Sequence, residues 1–470
     1  MTDLAKLSPS EFCTFLTEHG IERFYFVRRD LAEAPGTSPT SGTGSAGTSA
    51  PEAGSLVATP LLSGTSPLVA SHAVLQPLAD LVGHDARDFD DHEGVFVQVA
   101  PETGVLQGAF VHRTCRGQAA GGVRLWTYDT VLDYLRDGLR LGKGMTQKNA
   151  LAGLWWGGGK GVMARNSGAT ASRPTDAIRT RVYEEYGEFM TSLRGCYVTA
   201  EDVGTGPDDM AAIFTHTRFT TCIPPSLGGS GNPSAPTALG VVRGMEAALQ
   251  HLGLGTLEGK TVAVQGLGHV GEPLLGYLHE RNVGRVIGTD IDPEREAALR
   301  SLFPDLDLTV RVVERGDCSL FSEPADILSP NATGAILGER TIPTIAAKIV
   351  CGAANNQLED PAKDDLRLAE RGILYLPDFL VNRMGIVNCA DEQFGYVDDD
   401  PSFLRHLGTE WDNSIFNLSL RVLEEAETSG RTPHRVAVGL ADERSFETHP
   451  ISGHRGREIV RGLTRSSWAR

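Results

Sequence analysis

The fold of this chain is decided by the stretch Thr261-Val262-Ala263-Val264-Gln265-Gly266-Leu267-Gly268-His269-Val270-Gly271. Its apolar beginning predicts a strand, its glycines follow the spacing GxGxxG, and the residues after it predict a helix and then a second strand over 286–290. Gly266 would allow the tight turn, Gly268 the approach of a pyrophosphate, and Gly271 the packing of helix on strand. The pattern therefore predicts a Rossmann-type nucleotide-binding domain.

Asp290 ends the second predicted strand, where the acid that binds the ribose belongs in such a domain. Its carboxylate can accept hydrogen bonds from the ribose hydroxyls and would repel a 2′-phosphate, so the sequence favours NAD over NADP. His269 and Val270 lie where the helix begins, close to where phosphate charge meets a helix N-terminus, and they complete the candidate cofactor-binding set. The alternative is a glycine turn in an α/β domain that binds no nucleotide.

Composition limits the classes of protein and partner. The 470 residues, 40% of them hydrophobic, predict a globular chain of two or three domains. The net charge of -17 and the lack of a Lys/Arg cluster argue against nucleic acid as a partner. No apolar run is long enough to span a membrane and the first residues lack the features of a secretory signal, so we expect a cytoplasmic protein. The seven cysteines show no paired spacing, which predicts free thiols and no metal site.

Two lysines lie in glycine-rich, apolar sequence, which is unusual for a charged side chain. Lys148 follows a predicted helix over 129–141, and Lys160 directly follows the glycines 157–159. Desolvation or a neighbouring ammonium lowers the pKa of a lysine, so one of the two can hold an anion while the other exchanges protons near neutral pH. We expect the glycines to let a ligand approach the backbone closely. The alternative is that both lysines are solvated surface residues.

Asp202 is the carboxylate that we expect to act with these lysines. It follows a predicted buried strand over 196–200, and α/β folds commonly place their chemistry past the C-terminal ends of strands. It can receive a proton from an amine or activate a water. The other predicted elements are a β-hairpin over 95–99 and 105–111, a helix over 176–193, and a flexible insertion at about 34–68 that is rich in Ser, Gly, Thr, Ala and Pro.

These motifs in this order resemble the amino-acid dehydrogenase superfamily of glutamate, leucine, phenylalanine and valine dehydrogenases. The leucine and phenylalanine branch is the most similar, and the match runs from about residue 94 to about residue 393. The segments that carry the resemblance are 121–124 (Gly-Gly-Val-Arg), Lys148, Lys160, Asp202, 229–233 with 237–241, the glycine motif and 354–357 (Ala-Asn-Asn-Gln).

The resemblance implies reversible oxidative deamination, in which an L-amino acid and NAD⁺ give a 2-oxo acid, ammonia and NADH. By the same resemblance Lys148 binds the substrate carboxylate, Lys160 polarises the reacting oxygen and positions water, and Asp202 is the general acid/base. The residues that it places near the nicotinamide and its ribose are Thr237, Asn355, which is also close to the substrate, and Ala332.

The residue before the glycine pair Gly121-Gly122 indicates which substrate side chain the enzyme accepts. Glutamate-specific relatives carry a lysine there, whereas this chain has Ala120, so an acidic side chain would lack its counter-charge. The other candidate substrate-binding positions are Gly122, Ala200, Ile386 and Cys389. Their small or apolar side chains predict a roomy pocket for a large aliphatic or aromatic amino acid. The alternative is that the wall residues are ordinary core.

The resemblance implies an α/β protein with two domains, an α/β substrate domain and a Rossmann-type NAD-binding domain, separated by a cleft. We expect an N-terminal segment over 1–92, a substrate and dimerisation domain over 93–231, an NAD domain over 232–384, and C-terminal helices over 385–470 that return to the first domain. The family forms homo-oligomers, so we expect a dimer or larger.

Some features leave other interpretations open. Arg383 and Met384 replace the family's glycine pair, which adds bulk and charge close to the expected cleft. A catalytically silent NAD-binding or regulatory homologue is one alternative, and a dehydrogenase of an unusual amino acid or a 2-hydroxy acid is another. His449 and His454 suggest a metal but lack a third ligand in sequence, so we interpret their segment as a structured turn at a subunit contact.

Overall fold

The computed structural model describes residues 3–32, 66–395, 397 and 399–470. The predicted flexible insertion lies outside the described residues except for positions 66–68. In this part of the chain, no helix has the length and apolar character needed to cross a membrane.

The first domain is built on a mixed sheet. Its strands are β1 (Arg23–Arg28), β2 (Leu68–Ala70), β3 (Gly94–Val99), β4 (Leu106–Arg113), β5 (Ala119–Ala120), β6 (Val123–Trp126), β7 (Gly157–Ala164) and β8 (Tyr197–Val198). Among the described residues the order is β2-β1-β3-β4-β7-β5-β8, with β6 paired to β7. The β-hairpin prediction is confirmed, because β3 and β4 are antiparallel with Val95 opposite Phe110. The N-terminal segment supplies β1, which lies between β2 and β3, so this sheet begins before residue 93.

One long helix of the first domain carries Lys148. The helices here are α1 (Pro9–Glu18), α2 (Arg29–Ala32), α3 (Gln76–Gly83), α4 (Val131–Ala152), α5 (Asp176–Ser192) and α6 (Pro207–Phe214). The prediction that this helix ends near residue 141 is wrong, since α4 continues to Ala152 and ends at Gly153 with φ +75°. Gly138 inside this helix allows close packing on the sheet, because a Cβ there would lie 2.4 Å from the Phe110 ring.

The glycines before Lys160 serve packing instead of ligand approach, so that expectation is wrong. A Cβ on Gly157 would lie 2.0 Å from the carbonyl oxygen of Arg113, and one on Gly158 would lie 2.1 Å from the backbone nitrogen of Thr146. Only glycine allows strand β7 to lie so close to β4 and α4. The close packing brings Lys160, on β7, and Lys148, on α4, to the same side of the domain.

The second domain is a parallel sheet. Its strands are β9 (Thr261–Gln265), β10 (Arg285–Asp290), β11 (Leu308–Val312), β12 (Ile327–Pro330), β13 (Ile349–Val350) and β14 (Leu374–Tyr375). Its helices are α7 (Ser234–His251), α8 (Gly271–Glu280), α9 (Arg295–Leu302), α10 (Asp364–Glu370) and α11 (Asp378–Val381). The order β11-β10-β9-β12-β13-β14, parallel throughout, is the doubly wound order of a Rossmann domain. The glycine motif lies between β9 and α8, as predicted.

The C-terminal helices contact both domains. They are α12 (Met384–Glu392), α13 (Pro401–Leu404), α14 (Ile415–Ser429), α15 (Pro433–Ser445) and α16 (Arg455–Thr464). Helix α14 packs on α7 of the second domain, whereas α15 contacts α4 and α16 contacts α2 of the first. Beyond α16, the backbone nitrogen of Arg470 donates to the carbonyl oxygen of Arg23 at 3.1 Å, so the end of the described chain lies against β1.

Arg383 is buried in the interior. Its Nη1 donates to the carbonyl oxygen of Leu151 at 2.8 Å, and its Nη2 donates to the carbonyl oxygen of Asn413. Burial, together with the charge of Arg444, lowers the pKa of Arg383 to about 9. The guanidinium therefore binds the negative C-terminal end of α4 instead of adding charge to the cleft.

We expect Arg383→Ala to lower the free energy of unfolding by about 3 kcal/mol, because it leaves a cavity and removes a charged donor from buried carbonyls. Thermal and denaturant unfolding would measure the change. Arg300→Ala is the matched control, since Arg300 is half exposed and, within the described part of the chain, bonds only to Glu296 of its own helix. The expected change there is within about 0.5 kcal/mol. Equal stability of both variants would contradict the structural role of Arg383.

Candidate active site

Three charged side chains of the first domain meet beside strands β6, β7 and β8. Asp202 follows β8, Lys160 is on β7 and Arg124 is on β6. Lys160 Nζ lies 3.1 Å from Asp202 Oδ1, and Arg124 Nε lies 3.1 Å from Asp202 Oδ2. The Lys160 side chain is only 4% exposed and that of Asp202 11%. The predicted lysine–carboxylate pair therefore forms, and surface solvation of Lys160 is excluded.

The charges of this cluster stabilise one another. Burial opposes ionisation of Asp202, but Lys160 and Arg124 outweigh burial and hold the pKa of its carboxyl well below the usual range. Burial lowers the pKa of Lys160, Arg124 acts in the same direction, and Asp202 opposes both. The Asp202 carboxylate therefore has two cationic neighbours, and one of them, Lys160, has a lowered pKa.

Arg124 is a site residue that the sequence motif contained but whose role the sequence did not reveal. Its Nη1 lies 3.2 Å from Asp137 Oδ2, and the Tyr128 hydroxyl donates to that same oxygen at 2.7 Å. Asp137 and Asp202 raise the pKa of Arg124 above its ordinary value despite burial. Its position two residues after the glycine pair was the only sequence signal, because the bond to Asp202 joins residues 78 apart in the chain.

Lys148 reaches across to the second domain. Its Nζ donates to Asn355 Oδ1 at 2.9 Å, and Asn382 Nδ2 donates to the same oxygen at 3.0 Å. Burial lowers the pKa of Lys148 to about 8, with Lys160 acting in the same direction and Asp378 opposing. The sequence did not single out Asp378 or Asn382 for a role at the site. The predicted anion-binding lysine and Asn355 are thus brought together at the junction of the domains.

Glycine is required at position 122. A Cβ there would lie 2.4 Å from the carbonyl oxygen of Glu201 and 2.8 Å from Asp202 Cβ. Because Gly122 has no Cβ, the turn after β5 lies directly against the backbone that carries Asp202. Gly122 is therefore adjacent to the charged cluster, where the resemblance placed it.

The predicted pocket wall is one apolar cluster. Ala120, Ala200, Ile386 and Cys389 are all buried, with exposures of 1%, 4%, 6% and 3%, and belong to the same group of packed side chains. Half-buried Met145 packs on it. Ala120 and Ala200 come from the first domain and the other two from α12, so the tertiary fold brings these four residues from distant segments into one core cluster.

The glycine motif has the geometry that a dinucleotide needs. Gly266 has φ +85°, and a Cβ on it would lie 2.9 Å from the Cβ of Ala332, which places Ala332 against this turn. A Cβ on Gly271 would lie 2.2 Å from the carbonyl oxygen of Gly266, so α8 starts tight against the turn. The Cβ position of Gly268 has open space around it, as the approach of a pyrophosphate requires.

Other candidate cofactor residues surround this motif. Exposed His269 and half-buried Val270 precede α8, and Asp290 ends β10. Asp290 Oδ2 accepts from the backbone nitrogen of Leu267 at 2.7 Å, which fixes the carboxylate beside the glycine turn. Thr237 lies on α7, and a Cβ on Gly385 would come 2.9 Å from its Oγ1, so α12 lies close to Thr237.

Comparison with known proteins supports the resemblance to amino-acid dehydrogenases. The model of the Glu/Leu/Phe/Val dehydrogenase dimerisation domain matches residues 95–219, and the Glutamate/Leucine/Phenylalanine/Valine dehydrogenase model matches residues 228–290. Leucine dehydrogenase of Bacillus cereus is 39% identical over 371 residues, which cover 77% of this chain and 95% of that protein. The chain belongs to the Glu/Leu/Phe/Val dehydrogenase family.

Other amino-acid dehydrogenases are also similar to this chain. Valine dehydrogenase of Streptomyces coelicolor is 36% identical over 364 residues, covering 77% of this chain and 94% of that protein. The crystal structure of L-tryptophan dehydrogenase from Nostoc punctiforme superposes with a TM-score of 0.59 at 33% identity, covering 76% of this chain and 96% of that one. A hetero-hexameric glutamate dehydrogenase from Thermus thermophilus, 24% identical with a TM-score of 0.61 over 76% of this chain and 88% of that one, shares the fold.

The family prediction and the two-domain α/β fold class are confirmed. This family member is an amino-acid dehydrogenase, an oxidoreductase that uses a nicotinamide cofactor.

Proposed function

We propose that this enzyme catalyses the reversible, NAD-dependent oxidative deamination of an apolar L-amino acid to a 2-oxo acid and ammonia. The observation that carries the proposal is the buried pair of Lys160 and Asp202 beside Lys148, with the apolar cluster of Ala120 and Ile386 close by in the same domain junction. Relatives named as leucine, valine and tryptophan dehydrogenases agree with an apolar substrate.

In the proposed mechanism Lys148 binds the substrate carboxylate and Lys160 binds the oxygen that is attached to Cα after water adds. Bound NAD⁺ supplies the acceptor for the hydride from Cα. Loss of the hydride leaves an iminium at Cα, to which water adds. Asp202 takes a proton from this water and passes it to the amine, the C–N bond breaks to release ammonia, and the remaining hydroxyl proton is lost as the 2-oxo acid forms. Lys160 and Arg124 hold Asp202 ionised, so its carboxylate carries no proton before the transfer, and the same two charges lower its basicity.

Exclusion of water strengthens these interactions. Lys148 on α4 and Asn355 after β13 come from different domains, and their 2.9 Å bond closes the space between them. In a site of low dielectric, each charge contact with the reacting atoms is stronger than in water. A substrate carboxylate would compete with Asn355 for Lys148, so substrate binding would change this contact between the domains.

The wall residues determine the substrate class in this proposal. Ala120 offers no counter-charge to an acidic side chain, and its methyl group leaves room for a large one. Ala200, Ile386 and Cys389 add apolar surface. We therefore propose large aliphatic or aromatic amino acids as substrates.

The test is NADH formation with each standard L-amino acid at mildly alkaline pH, followed by the reverse reaction with the matching 2-oxo acid. We expect activity on a few apolar substrates and a reverse reaction that requires ammonia. Glutamate as the best substrate would overturn the substrate class. Oxidation of NADH by a 2-oxo acid without ammonia would instead indicate 2-hydroxy acid chemistry.

The pH dependence of substrate binding should follow Lys148. Its ammonium is charged below a pKa of about 8 and neutral above it, so affinity for a 2-oxo acid should fall as the pH rises through about 8. The dissociation constant of a 2-oxo acid from the enzyme–NADH complex, measured by NADH fluorescence without ammonia, would show this.

The control is Lys148→Met, which should bind the 2-oxo acid about 10²-fold more weakly because the charged partner is lost. Its affinity should lack the decline near pH 8. A wild-type dissociation constant that stays unchanged from about pH 7 to about pH 9 would contradict the assignment.

Cofactor choice should depend on Asp290. We expect Asp290→Ser to raise the KM for NAD about tenfold, since charged hydrogen bonds to the ribose are lost, and to improve the use of NADP by removing repulsion of the 2′-phosphate. Steady-state kinetics with both cofactors would measure this. Asp305→Ser, at an exposed position of the same domain, should leave both unchanged. A wild-type enzyme that prefers NADP would refute the NAD proposal.

Assembly and location complete the proposal. We propose a homo-oligomer, a dimer or larger, because the matching model of the first domain is that of a dimerisation domain. We also propose a cytoplasmic location, since all seven cysteines are free thiols, including Cys222 and Cys389, whose sulfurs are 3.2 Å apart. We further propose a functional division into a substrate domain over 93–231, whose sheet is extended by β1 and β2 of the N-terminal segment, and an NAD domain over 232–384.

A further inference from the structure

Three potential metal ligands converge outside the catalytic cluster. Glu93 lies just before β3, Cys115 follows β4, and His454 lies just before α16. One carboxylate oxygen, the thiol sulfur and one imidazole nitrogen lie within 4.8 Å of one another. His454 Nε2 is 3.2 Å from Glu93 Oε1. The other two potential ligands of His454, Glu93 and Cys115, thus come from residues far away in the chain.

The surroundings hold these groups in place. Thr114 donates to Glu93 from its backbone nitrogen at 3.1 Å and from its Oγ1 at 2.5 Å, which orients the carboxylate as outer ligand partners do in metal sites. Gly456 lets the start of α16 lie against Thr114, where a Cβ would come within 2.5 Å. His449 is not in the described group of converging ligands, and its Nδ1 accepts from backbone nitrogens of its own turn.

The site is also accessible. Glu93 is 2% exposed, while Cys115 and His454 are partly exposed. A cavity of about 550 Å³ is lined by His454 together with Arg194 and Arg455. This cavity reaches the site at His454, whereas Glu93 and Cys115 do not line it.

We propose that Glu93, Cys115 and His454 form a binding site for a zinc-class divalent ion, with water as a fourth ligand. One oxygen, one sulfur and one nitrogen ligand is a set that zinc accepts, whereas calcium and magnesium take oxygen ligands. Ligand atoms around zinc lie closer together than 4.8 Å, so binding requires a small contraction, and the pair of Glu93 and His454 is already at 3.2 Å. The ion would join α16 to the first sheet, and its role is structural.

The test is titration of the full-length wild-type enzyme, first stripped of metal, with cobalt(II) as a spectroscopic probe. We expect one cobalt per chain with a thiolate-to-cobalt charge-transfer band, displacement of that band by zinc, and a higher Tm when zinc is present. Cys115→Ser should abolish the band. Cys318→Ser, which removes another partly exposed thiol, should retain it.

Two results would overturn the proposal. One is no thiolate band in the wild type with cobalt in excess, which would leave Glu93 and His454 as an ion pair only. The other is a band that survives Cys115→Ser, which would place the metal elsewhere. If Cys115→Ser fails to fold, alkylation of the wild type decides: zinc should slow modification of Cys115 and leave that of Cys318 unchanged, and equal rates at Cys115 with and without zinc would refute the site.

Discussion

Replacement of Asp202 by asparagine is expected to lower kcat by about 10³-fold, because the amide cannot accept the proton that the proposed mechanism transfers between water and amine. The side chain keeps its shape, and Arg124 can still donate to the remaining oxygen. We therefore expect little change in the KM for NAD. Steady-state kinetics in both directions would measure the effect.

The matched control for this variant is Asp208→Asn. Asp208 is exposed on the first turn of α6, six positions further along the chain, and its loss should leave kcat unchanged. Circular dichroism and thermal unfolding would establish that both variants fold. An Asp202→Asn enzyme whose kcat stays within about threefold of the wild type would exclude Asp202 as the general acid/base.

Lys160→Ala is expected to lower kcat by about 10²–10³-fold, since it removes the cation that stabilises charge on the reacting oxygen. It should also change the pH profile. Lys160 is the largest influence that lowers the pKa of Asp202, and burial raises it, so the carboxyl should titrate at higher pH in the variant. Activity should consequently decline on the acidic side at a higher pH than in the wild type.

The pH profile separates a chemical role of Lys160 from a structural one. Lys348→Ala, at an exposed lysine before β13, should preserve both rate and profile. A Lys160→Ala enzyme that loses activity without any change in the profile would contradict the charge coupling to Asp202. A variant with wild-type kcat would exclude Lys160 from the chemistry altogether.

Features that depend on neighbouring residues in the chain were predictable. The glycine motif between β9 and α8 could be interpreted from the sequence because a strand, a tight turn and a helix are coded within about a dozen residues. Asp202 could be placed past a strand end for the same reason. Lys148 and Lys160 were singled out by their unusual surroundings, and the structure brings both into the site.

Features that join distant segments were not predictable. The glycines 157–159 suggested ligand approach. Glycine is required there because atoms of β4 and α4 lie 2.0–2.8 Å from the Cβ positions, a proximity that only the folded domain creates. Arg383 suggested charge in the cleft. Its guanidinium instead donates to the carbonyl oxygen of Leu151, 232 positions away in the chain.

The sequence by itself determined the nucleotide fold, the choice of Lys148, Lys160 and Asp202 as candidate site residues and the apolar character of the candidate wall, because periodicity, glycine spacing and residue chemistry are local properties. Tertiary structure alone decided that Arg124 binds Asp202, that Asn355 reaches Lys148, and that Glu93 meets His454. Each of these contacts exists because strand order and helix packing bring together groups whose separation along the chain carries no information about their distance in space.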